Sequence, residues 1–88
     1  MNMAVRVIFF YQPGCMGCME QTPINAEVAK ALNISIEEID ATKNQDSVRE
    51  FSLKVTPTII IKSDTAVLER FEGVVHTEQL LAAIKKYL

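Results

Sequence analysis

The chain has 88 residues, of which 49% are hydrophobic and 23% charged, with a formal net charge of −2. That length suits one domain over residues 1–88, too apolar for disorder and too poor in glycine and proline for a collagen-like or linker chain. Two cysteines exclude a disulfide-rich secreted scaffold, the mild acidity argues against a nucleic-acid partner, and no apolar run reaches the roughly 18 residues of a membrane span.

Ala4 to Tyr11 is a nearly continuous apolar run broken only by Arg6, and it reads as a strand buried on both faces. The run after Arg6 is too short for a signal-peptide core, and no small-residue cleavage site follows. A cytoplasmic monomer is therefore the expectation. Gln12-Pro13-Gly14 stops the strand. From Met16 to Leu32 the apolar residues take helical spacing, with Pro23 predicted to kink the helix and Asn33 to end it in a left-handed conformation. Ile34 to Ile39 reads as a second strand, and Asp40 to Asp46 as a polar connection. Val48 to Leu53 supports a short helix capped by Asp46 or Ser47, ended by Val55-Thr56-Pro57. Thr58 to Lys62 and Thr65 to Phe71 form a hairpin about Ser63-Asp64. Gly73 breaks the chain, and Thr77 caps a last helix whose apolar stripe is Leu80, Leu81, Ile84 and Leu88. The order β-α-β-α-β-β-α predicts an α/β fold: a four-stranded mixed sheet with helices on both faces.

Cys15-Met16-Gly17-Cys18 carries the chemistry. It stands between a strand and a helix, so Cys15 meets free backbone donors and the positive end of the helix dipole, both of which favour thiolate over thiol. Cys18, one turn on, is placed to attack a mixed disulfide and release the product. A structural reading of both as small buried hydrophobes is the plain alternative. A closed zinc site lacks ligands, because His76 is the sole histidine and no third cysteine exists. A small copper chaperone also carries CxxC after its first strand. That family has a methionine where this chain has Pro13, and it ends in a strand rather than a helix.

With these motifs in this order, the chain resembles the thioredoxin family over nearly its whole length. CMGC stands where thioredoxins carry CGPC, Pro23 matches their helix proline, and Ile39-Asp40 matches their "ID" pair. Val55-Thr56-Pro57-Thr58 is similar to the cis-proline stretch, and Phe71-Glu72-Gly73 to the last strand and its glycine. The resemblance implies a minimal thioredoxin-like fold and a thiol-disulfide oxidoreductase that reduces protein disulfides. Cys15 is then the nucleophile and Cys18 the resolving thiol, together forming the redox disulfide. Met16, Gly17, Thr56, Pro57 and Gly73 are the substrate-contacting residues, and the Thr56–Pro57 bond is cis. The implied partners are disulfide-containing proteins and a thioredoxin-reductase-type electron donor, with no cofactor and no metal.

Departures from the pattern matter. The usual buried acid is replaced by Phe9 and its lysine partner by Ile36, so the resolving step must use water or another group. Glutaredoxins are the alternative within the superfamily. Gln12 replaces their glutathione-binding lysine, however, and only one glycine, Gly73, precedes the last helix. A redox-inactive binding or metal-binding module is the further alternative. Met16 is expected to be exposed and Met19 equally at home in the core. Glu37, Glu38 and Asp40 read as a solvated strand end, and His76 as a solvated residue.

Overall fold

The computed structural model describes residues 4–88. Its sheet has four strands in the order β2-β1-β3-β4, where β1 is Arg6–Tyr11, β2 Glu37–Asp40, β3 Thr58–Lys62 and β4 Val67–Glu72. β1 pairs parallel with β2 and antiparallel with β3, and β3 pairs antiparallel with β4. The central strands are the most apolar because both their faces are covered. Side chains alternate along β1. Val7 and Phe9 join Ile59 and Ile61 under the helices α1 (Met16–Leu32) and α3 (Thr77–Lys85), while Ile8 and Phe10 meet Ile60 and Phe51 on the other face. The short helix α2 (Gln45–Glu50) leads into Phe51, whose ring centroid is 5.5 Å from that of Phe10.

Several boundaries differ from the sequence reading, each for a local reason. Asn33 is left-handed as predicted (φ 54°), and the N–H of Ile34 donates to Ala29 O at 3.0 Å. That bond takes Ile34 away from the sheet, so β2 begins at Glu37, not Ile34. Ile34 and Ile36 still pack on the core. Asp40 receives the Thr42 N–H at 2.9 Å and starts a 3₁₀ turn, Ala41–Lys43, inside what reads as a polar connection. Asn44, rather than Asp46 or Ser47, is the cap of α2, which starts earlier than expected. It also ends earlier, because Ser52 turns left-handed (φ 51°) and Leu53 N–H closes on Val48 O at 3.0 Å. Ser63 Oγ accepts from the N–H groups of Thr65 and Ala66, so the hairpin loop is wider than Ser63-Asp64 and β4 starts at Val67. His76, not Thr77, is the N-cap of α3, and it makes no side-chain capping bond. Leu80 and Ile84 are buried as expected, whereas Leu88 is 51% exposed.

Candidate active site

The parallel pairing of β1 with β2 requires a crossover, and the chain leaves β1 at the middle of the sheet to make it. Gln12-Pro13-Gly14 forms the turn. Gly14 has φ 78° and nothing within 4 Å of where a Cβ would stand, so backbone conformation rather than space calls for glycine there. Cys15 follows in an extended conformation as the N-cap of α1, and its Sγ accepts the Cys18 N–H at 3.1 Å. Sulfur thus takes the place of the usual hydroxyl or carboxylate cap. Cys15 and Cys18 are joined as a disulfide, with Cα atoms 5.2 Å apart. Cys18 is 4% exposed and Cys15 is half-buried.

A second segment faces the pair. The Thr56–Pro57 bond is cis, and Pro57 is buried. Thr56 Oγ1 donates to Cys15 Sγ at 3.5 Å. The backbone N–H and C=O of Thr56 take no part in the backbone hydrogen bonds among the described residues. A Cβ on Gly17 would stand 3.0 Å from Pro57 Cδ and 3.4 Å from Val74 Cγ2, so the motif glycine lets α1 sit directly on the proline ring. Gly73 (φ 89°) donates its N–H to Pro57 O at 2.9 Å. The fold therefore gathers Cys15, Gly17, Cys18, Thr56, Pro57 and Gly73 from separate parts of the chain. Met16 stands beside them 80% exposed, and Met19 is also on the surface, 69% exposed, rather than in the core.

Sequence reasoning missed Val74, which packs at Gly17, and the exposed Val55 next to Thr56. Val55 lies within the Val55-Thr56-Pro57-Thr58 stretch, but a valine in a connection gives no chemical signal of its own. A cleft of about 330 Å³ opens beside the disulfide, with Phe9, Cys18, Thr22 and Glu38 on its walls. Glu38, paired with Phe9 in the sheet, lines the same cleft as Cys18. Glu37 instead forms a bidentate pair with Arg6 at 2.7 and 2.8 Å. That pairing holds its carboxyl below the ordinary value and raises the guanidinium's. Among the described residues no three His, Cys, Asp or Glu side chains gather as metal ligands.

The sequence model of the family described as Thioredoxin matches residues 2–86. The chain belongs to the thioredoxin family. It is 32% identical over 90 residues to "Thioredoxin 2" of Plasmodium falciparum (isolate 3D7), covering 100% of this chain and 57% of that protein. It is 30% identical over 84 residues to "Thioredoxin Y2, chloroplastic" of Arabidopsis thaliana, covering 93% and 50%. The chain thus spans about half the length of the curated relatives it matches. Among solved structures, thioredoxin-2 of the malaria parasite, described as a component of that parasite's protein secretion machinery, superposes with a TM-score of 0.88 at 32% identity. That superposition covers 98% of this chain and 85% of the other. Against the thioredoxin pattern, both members of the buried charge pair are apolar here: Phe9 is 1% exposed, and Ile36 packs on the same core cluster. Exchanging both together leaves no stranded charge.

Proposed function

We propose that this protein reduces disulfides of other proteins by dithiol exchange through Cys15 and Cys18. The observation that carries the reading is the cysteine pair at the start of α1, Cys15 half-buried and Cys18 buried, opposite the Thr56 backbone, whose N–H and C=O take no part in the backbone hydrogen bonds among the described residues. Membership of the thioredoxin family supports it.

In this reading an extended substrate segment pairs with the Thr56 backbone as an added strand, beside exposed Met16 and Val55. The Cys15 thiolate attacks one substrate sulfur, the substrate disulfide breaks, and one substrate thiolate leaves and takes up a proton. Cys18, once deprotonated, attacks Cys15 Sγ. The mixed disulfide breaks, the second substrate thiol departs, and the Cys15–Cys18 disulfide remains. Two electrons have passed to the substrate, and a thioredoxin-reductase-type donor returns them. The half-buried Cys15 is the residue a substrate can reach, and the buried Cys18 attacks only within the complex.

The test is insulin-disulfide reduction with dithiothreitol, together with trapping by the reduced variants from an extract whose protein disulfides are intact. Wild-type protein is expected to accelerate insulin reduction. Cys18→Ser is expected to accumulate mixed disulfides, and Cys15→Ser to accumulate none. Preferential alkylation of Cys18 in the reduced protein at neutral pH refutes the assignment of roles.

A further inference from the structure

Gln21 and Asn25 are the two polar side chains of α1 that lie inside the apolar core, 0% and 3% exposed. A buried amide without partners is costly, so its bonds are informative. Gln21 Oε1 accepts the Val75 N–H at 2.8 Å, and Gln21 Nε2 donates to Val75 O at 3.0 Å. One side chain thus satisfies both backbone groups of one residue, as a neighbouring strand would. The second Nε2 proton goes to Asn25 Oδ1 at 3.0 Å, which fixes which way the Gln21 amide faces.

Val75 needs such a partner. It is 3% exposed and lies between the end of β4 and the start of α3, off the sheet ladder yet within the core. Its neighbours form one wall of the active site: Val74 packs at Gly17, and Gly73 donates to Pro57 O. Gln21 lies on α1 just under one turn beyond Cys18. It therefore ties the helix that bears the cysteines to the segment that borders the proline.

We propose that Gln21 is a positioning residue that holds the 73–75 segment against α1 and so sets the shape of the groove for extended protein substrates. This rests on the oxidoreductase reading above. It assigns Gln21 an effect on substrate grip and none on the sulfur chemistry, because Gln21 makes no hydrogen bond to either cysteine.

The experiment compares wild type, Gln21→Leu and Gln21→Glu. It reads KM and kcat for insulin, the rate of the reduced protein with a small aromatic disulfide, and the thermal midpoint. In Gln21→Leu the Val75 groups lose their partner, and KM for insulin is expected to rise about tenfold. The small-disulfide rate is expected to stay within about twofold, since loss of a remote hydrogen bond leaves thiol reactivity unchanged. Gln21→Glu supplies the rescue. A neutral carboxyl offers Val75 the same donor and acceptor, whereas the ionised form offers no donor. Burial raises the pKa of such a group. The mutant-to-wild-type KM ratio is therefore expected near one in acid and to climb as pH rises above the ordinary carboxylate range. This variant also keeps the test valid if Gln21→Leu folds poorly. The inference is overturned if KM for insulin does not move in either variant, if the small-disulfide rate falls as far as the insulin rate, or if the KM ratio of Gln21→Glu is flat with pH. Wild-type protein that reduces neither insulin nor the small disulfide overturns the oxidoreductase reading and this inference with it. Turnover of both with an unmoved KM overturns the inference alone.

Discussion

Replacing Thr56 by valine removes one hydroxyl at nearly constant volume, and the structure says what that hydroxyl does. Thr56 Oγ1 donates to Cys15 Sγ at 3.5 Å. In the disulfide this sulfur is a weak acceptor. After reduction it becomes a thiolate, and the same donor meets a charge. The loss in Thr56→Val therefore falls mainly on the reduced, ionised state. A hydrogen bond to a charged group is worth about 1.5–3 kcal/mol, and this contact is long and half-exposed, so about 1 kcal/mol is the reasonable magnitude. That corresponds to roughly a fivefold shift of the Cys15 thiol–thiolate equilibrium toward thiol. For the two-electron couple it makes the potential more negative by about 20 mV. The assay is a pH titration of ultraviolet thiolate absorbance in the reduced protein, with the potential read by equilibration against a dithiol buffer. The Cys15 midpoint is expected to rise in Thr56→Val and to stay near wild type in Thr56→Ser, which keeps the donor. An unchanged or lowered midpoint in Thr56→Val, or equal shifts in both variants, refutes the reasoning.

Phe51→Ala empties the space that Phe51 shares with Ile8, Phe10 and Ile60, and it is expected to cost about 3–5 kcal/mol by urea unfolding, a large share of a small domain's stability. The Arg6–Glu37 pair is a surface pair, with side chains 51% and 40% exposed, so solvent screening limits it to about 0.2–1 kcal/mol. Because Glu37 is held below its ordinary value, chiefly by the Arg6 hydrogen bond, that contribution is present above the unfolded carboxyl pKa. It is lost as pH falls through the folded one. The stability gap between wild type and Glu37→Gln is expected to shrink in acid and in high salt. Glutathione is expected to be a poor reductant: Gln12 is exposed and uncharged where a lysine would hold a carboxylate. Glutathione-coupled turnover of a small mixed disulfide should therefore be weak, and efficient turnover promotes the glutaredoxin alternative.

Elements whose signals are local were legible in the residues alone. The apolar runs of β1 and β3 need no context, because a strand covered on both faces cannot be polar. The CxxC pair after a breaker and before a helical period located the chemistry, and the Thr-Pro dipeptide marked its counterpart through family resemblance. Long-range packing governed the places where one backbone group had to choose between partners. Ile34 looks like strand but spends its N–H on the end of α1, and Ser52 turns left-handed and shortens α2. Met19 follows the helical apolar period yet faces solvent at the site, whereas Gln21 and Asn25, polar by type, lie in the core. No propensity foretells that exchange. Gln21 is buried because Val75, 54 residues away, arrives with an unpaired N–H and C=O that the amide alone satisfies. Packing over that separation is a property of the folded chain, and it is what places the walls of the groove around a pair of sulfurs that local sequence had already located.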